Sequence, residues 1–248
     1  MKAALAAAAT VVALAFTLLL YERWRSRRRR HEAAWTVSLA LFTVASGALW
    51  VGASAGWSGA TFRVFFLFGA VLNVPWLALG TIELLAGPRW GRPTRAWLIA
   101  FSAFAAGIML EAPLRAPVPV HGLPQGRQVF GILPRVLAAV CSGGAALVVI
   151  GGALWSAARL WRGRARSSAS SPVPSAVARG LAGGNVLIAL GTLVLSASGT
   201  LNGRLGAEKA FAVTLTVGIV VLFAGFLVAT NPGRARTHER SVLLATTS

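Results

Sequence analysis

Two stretches, residues 34–55 and 136–158, carry no charged side chain, and each is long enough to cross a lipid bilayer. A helix needs about 20 mostly apolar residues to span a hydrocarbon core about 30 Å thick. In lipid no water serves the backbone, so a spanning segment bonds within itself as a helix or closes into a barrel. The alternation of apolar and polar residues that marks barrel strands is absent. Read along the whole chain, the criterion predicts seven spans, at about 3–21, 34–55, 61–85, 96–113, 136–158, 180–201 and 210–230. Residues 231–248 then form a flexible cytoplasmic tail. The expected fold is therefore an all-α membrane protein, a seven-transmembrane-helix bundle. Composition agrees: 56% of residues are hydrophobic and only 12% charged, against about 25% charged in a soluble domain.

The net charge of +18 could point to nucleic acid, but its placement follows the positive-inside rule instead. Arg23, Arg25, Arg27, Arg28, Arg29 and Arg30 fall between the first two spans, with Arg89, Arg92 and Arg95 between the third and fourth. Arg159, Arg162, Arg164, Arg166 and Arg179 lie between the fifth and sixth, and Arg234, Arg236 and Arg240 in the tail. The opposite side receives only Lys2, Arg63, Arg115, Arg127, Arg135, Arg204 and Lys209. The prediction is an outside N-terminus, a cytoplasmic C-terminus and a place in the cell's plasma (inner) membrane. The cluster Arg23–Arg30 reads as a topology anchor that also touches anionic lipid headgroups. It also ends the first apolar run as a stop-transfer signal, with no cleavage site of a signal peptide. Trp24, Trp35, Trp90, Trp97, Trp155 and Trp161 flank the same predicted boundary, where indoles concentrate.

Much chemistry is excluded by position. His31, His121 and His238 all lie outside the spans, so no facing pair is available for intramembrane haem. Lys209 stands at the edge of the seventh span and the chain has no Asp, which argues against a retinal Schiff base and its counter-ion. The single Cys141 offers neither a disulfide nor a cluster ligand set. No cofactor, metal site or catalytic constellation is expected.

What stays polar inside the spans is sparse. In the sixth, Ala182, Asn185, Ala189, Thr192, Ser196 and Gly199 share one helical face. The second offers Thr36, Ala40, Thr43 and Gly47, and the third Ala70, Asn73 and Gly80. Pro75 lacks an N–H, so the carbonyl of Val71 loses its partner and the third helix should bend mid-membrane, with Asn73 beside the break. Glu83 and Glu111 stand at the ends of the third and fourth spans, where Glu83 with Arg89 or Arg92, and Glu111 with Arg63 or Arg115, fit as interfacial ion pairs. GxxxG spacing at Gly52/Gly56 and Gly180/Gly184 allows close helix packing and leaves a homo-oligomer open. The Pro-rich outer segment 111–135 reads as extended, a lid or a plain connector without a packed core of its own.

These residues predict a multi-pass protein that binds or transports a small solute through a polar seam between helices 2, 3 and 6. Asn73, Asn185, Thr192 and Ser196 line that seam, Pro75 bends it, and Glu83 and Glu111 guard its mouths. The rival reading is a sensory or scaffold protein docking a cytoplasmic partner on its Arg-rich inner face. A 3+1+3 repeat is hinted at by Ala53-Ser54-Ala55-Gly56 and Ser196-Ala197-Ser198-Gly199. Through Gly56-Trp57, Arg63, Gly69-Ala70, Pro75 and Gly80, and its Ala/Arg/Gly-rich usage, the chain resembles seven-helix integral membrane proteins of high-GC bacteria. That resemblance implies the architecture and no particular activity.

Overall fold

The computed structural model describes residues 2–120, 122–166, 183–184, 186–195 and 208–230. Among them the chain is helical, with one isolated antiparallel bridge, Leu114 to Phe130, and no strand. The helices are α1 (Lys2–Arg27), α2 (Arg30–Ala55), α3 (Gly59–Leu85), α4 (Gly87–Glu111), α5 (Ile132–Arg166), α6 (Val186–Leu195) and α7 (Glu208–Thr230). A single extra turn sits at Gly126–Val129. Five helices, α1 to α5, are long and apolar enough to cross a membrane, while α6 and the Val213–Val228 part of α7 are shorter apolar helices.

Several boundaries differ from the sequence expectation, and the reason is shared. Arginine is a good helix former, so a run of arginines ends a membrane span without ending its helix. The expected loop at 22–33 is instead the continuation of α1 to Arg27 and the start of α2 at Arg30. Only Arg28 and Arg29 connect them; Arg28 takes a left-handed φ of 53° and its N–H bonds the Trp24 carbonyl at 2.7 Å. Likewise α4 starts at Gly87 rather than 96, and α5 continues to Arg166 rather than stopping at 158.

α1 packs on α2 and α7, α2 on α3, and α3 on α4 and α5. One core lies between α1, α2 and α7, built on Phe16, Leu20, Phe42, Ile219, Leu222 and Phe226. A second gathers at the α2–α3 turn around Trp57, Phe62, Val71, Met109, Val129 and Phe130. α6 lies tightly on α7, because Gly191 lets the Leu222 backbone approach and Gly225 admits Leu187 and Ile188. The small face expected of helix 2 turns toward α1: the Thr43 hydroxyl meets that of Thr17 at 3.1 Å, and Gly47 faces Thr10. Trp35, Ser38 and Ala45, on the opposite side of α2, meet α3 at Gly80, Asn73 and Gly69. Gly52 and Gly56 serve local geometry rather than a helix–helix seam, since the Trp57 ring fills the space over Gly52 and Gly56 sits at φ 94° under Val120.

The Pro-rich segment 111–135 is not free but packs into the second core. Pro124, Val129 and Phe130 are fully buried, and the Phe130 ring stacks on Phe62 with centroids 5.1 Å apart. The N–H of Trp57 bonds the Val120 carbonyl, and that of Arg115 the Val129 carbonyl. The segment is a cap seated on the beginning of α3. Five prolines obscured this in the sequence, because the burial comes from the short Leu-Pro-Gln and Val-Phe pieces.

Candidate functional site

The polar centre of the described bundle is a break in α3. From Phe66 to Leu72 the helix is in the π register, and the N–H of Asn73 reaches back to the Phe68 carbonyl. The α register restarts at Asn73–Leu85, with Leu72 as its first acceptor. Between the two registers lie the carbonyls of Gly69, Ala70 and Val71, and the residues that would serve them include Pro75, which has no N–H. The widened segment thus lies just upstream of Pro75, whose missing N–H falls at the junction.

One side chain of another helix meets a carbonyl of the break, and further polar contacts gather beside it. The Ser142 hydroxyl of α5 donates to the Ala70 carbonyl at 2.5 Å. Ser38 of α2 lies 2.9 Å from the Asn73 carbonyl and 2.8 Å from Asn73 Oδ1. Trp35 Nε1 donates to the Leu77 carbonyl at 3.2 Å. Trp76 Nε1 donates to Ser102 of α4, whose hydroxyl bonds the Leu98 carbonyl. In hydrocarbon an unmet backbone group costs several kcal/mol, which accounts for the Ser142 hydroxyl at the Ala70 carbonyl. Ser38, Ser142 and Trp35 were missed in the sequence because single Ser and Trp residues carry no spacing signal.

Asn73 stands at the middle of the 27-residue α3 and is half-buried. A hydroxyl has one proton, so Ser38 donates to the backbone carbonyl or to Oδ1, not fully to both. With Oδ1 toward Ser38, the carboxamide NH₂ has no partner among the described residues. With the amide turned over, one N–H points to Ser38 and Oδ1 is left free. Either orientation leaves one end of a carboxamide unmet at mid-helix.

The carboxylates expected at the mouths are placed differently from each other. Glu83 is ion-paired, but with Arg95 rather than Arg89 or Arg92, at 2.5 Å. Its side chain is 4% exposed, and Oε2 is buried without a partner among the described residues. Gly91 makes room for it, since a Cβ there would lie 2.6 Å from Glu83 Cγ. Glu111 is exposed and ends α4 with no ion pair among the described residues. Arg63 does not meet it; its two terminal nitrogens donate to the Leu110 and Ala112 carbonyls at 2.6 Å each. A guanidinium there satisfies the open carbonyls of a helix C-terminus and opposes its dipole.

On helix 6, Thr192 is buried and bonds the Ile188 carbonyl at 2.8 Å, while Asn185 and Ser196 lie outside the described residues. Of the six clustered arginines, Arg25, Arg27, Arg28, Arg29 and Arg30 are exposed. Arg23 is not; it lies over the Phe226 ring at 5.4 Å and faces the buried Glu32 at 3.9 Å. Among the described residues no three His, Cys, Asp or Glu side chains come together as a metal-ligand set. No protein-family model matches the chain, and no curated protein or solved structure is similar to it.

Proposed function

We propose that the chain is a seven-span protein of the plasma membrane, N-terminus outside and C-terminus in the cytoplasm, that binds and passes a small, uncharged polar solute at the α3 break. One observation carries this reading: the half-met carboxamide of Asn73 beside a π-to-α junction. Interrupted helices near the bilayer midplane form the binding sites of many transporters, and π segments concentrate at functional sites. A free amide end there is costly in lipid unless a polar molecule meets it. Asn185, Thr192 and Ser196 supply the facing wall in this reading, and Glu83 and Glu111 mark its two ends. The solute is uncharged because the middle of α3 offers it no ionic partner.

Cysteine labelling tests the site without knowing the solute. In a Cys141→Ser background, Asn73→Cys is treated with a membrane-impermeant maleimide in sealed inside-out vesicles. Asn73→Cys is expected to label, and Leu79→Cys, fully buried in the same helix, to stay unlabelled. Silence at position 73, with Arg25→Cys labelling normally, overturns the pathway and leaves helix packing as the role of Asn73.

A further inference from the structure

The last turns of α1 carry a second built feature. Tyr21, Glu22, Arg25 and Ser26 line a groove of about 380 Å³, and all four are exposed. Their spacing keeps them on one side of the helix. Glu22 and Arg25 are neighbours on that side, yet neither forms an ion pair among the described residues. The Ser26 hydroxyl proton is already given to the Arg23 carbonyl at 3.0 Å, which leaves its oxygen as an acceptor. Val11, Leu14 and Leu18 continue the same side toward the N-terminus at intervals of three and four, and all are exposed. An open apolar track therefore runs into a groove lined by one cation, one anion and two hydroxyls.

We propose that this groove holds a phospholipid headgroup bearing a primary ammonium, phosphoethanolamine. Arg25 and the Tyr21 hydroxyl take the phosphate, Glu22 and the Ser26 oxygen take the ammonium, and the acyl chains lie along Val11, Leu14 and Leu18. Tyr21 and Trp24, whose rings meet at 5.6 Å, set the groove at headgroup level, as aromatic side chains do at a membrane interface. An anionic headgroup without an ammonium leaves Glu22 opposed to its charge, and a choline headgroup offers Glu22 no N–H. The lipid source, rather than a soluble phosphate ester, follows from the track beneath the groove. This site is independent of Asn73, and its test reads the other end of the question, so either proposal can fail alone.

Native mass spectrometry of the full chain, released from micelles holding equal phosphatidylethanolamine, phosphatidylcholine and phosphatidylglycerol, is the direct test. The ethanolamine lipid is expected to be retained preferentially. Arg25→Gln lowers its retention roughly tenfold, the loss of about 1.4 kcal/mol. Glu22→Gln abolishes the preference over phosphatidylglycerol, while Arg89→Gln, on a separate exposed arginine, changes nothing. Preference for phosphatidylglycerol in the unaltered protein assigns the face to bulk positive charge and overturns the proposal. Equal retention of all three lipids, competition by soluble phosphoethanolamine as effective as by the lipid, or displacement of the lipid by a soluble protein bound to the exposed arginines overturns it as well.

Discussion

At the scale of single residues, the tightest contact between α2 and α3 is Trp35 over Gly80. A Cβ at Gly80 would lie 2.2 Å from Trp35 Cδ1 and Nε1, so any larger residue displaces the indole and breaks its bond to the Leu77 carbonyl. Gly80→Ala is expected to destabilise the protein by about 1–3 kcal/mol, the usual cost of overpacking. Gly107→Ala, where a Cβ meets nothing within 4 Å, is expected to be neutral or to gain about 1 kcal/mol of helix propensity. Thermal unfolding followed by size-exclusion fluorescence compares the two, and equal midpoints would remove the packing role of Trp35. Asn73 and Pro75 were legible in the sequence because an amide and a proline stand out in an apolar run. Their partner Ser38 was not, since a contact across 35 positions depends on this register. Arg95 was missed as the partner of Glu83 for a related reason: a helix read from 96 hides that Gly91 and Arg95 lie one turn apart on the face over Glu83.

At the scale of elements, α3 is an α-helix with a widened segment in it, and a π segment is equivalent to an α-helix carrying an inserted residue. Arg63, before the segment, and Gly80, after it, each find their partners across that insertion. Deleting Gly69, inside Phe66–Leu72, should close the segment to the α register and keep both ends facing their neighbours. Deleting Ala78, in the regular part, turns everything beyond it by about 100°, since 3.6 residues make a turn. The Gly69 deletion is expected to yield monodisperse protein in detergent and the Ala78 deletion to aggregate; the opposite pattern would show that the widened turn is indispensable to the fold. The existence of these helices was plain from hydropathy, because length and apolarity are local properties. Their ends were not: the polar turns Gly87–Arg95 and Arg159–Arg166 extend α4 and α5 past any apolar criterion.

At the scale of the molecule, α5 with its 35 residues is about 52 Å long at 1.5 Å per residue, well beyond a hydrocarbon core of about 30 Å. Its excess carries Arg159, Arg162, Arg164 and Arg166, and in the seven-span reading it projects on the side of the α1–α2 arginines. Trp90, Trp97 and Trp155 are more than half exposed, while Trp35 and Trp57 turn inward and act as packing residues, a division the sequence does not reveal. Odd crossings α1, α3 and α5 all run toward this basic side if the turns alternate, and two further crossings return the chain to it. Fusions of a fluorescent protein after Arg166 and after Ser248 are therefore both expected to fluoresce in a bacterial host, where the fluorophore matures only in the cytoplasm. A phosphatase inserted in the cap, after Pro117, is expected to be active, because the seven-span reading puts the cap outside. A dark fusion at Ser248 beside a bright one at Arg166 would mean that α6 and α7 together make a single crossing, and would reduce the seven-span reading to six. The tight seat of α6 on α7 at Gly191 and Gly225 argues for the paired return, since two helices packed along their glycine faces in a hairpin enter and leave the bilayer together.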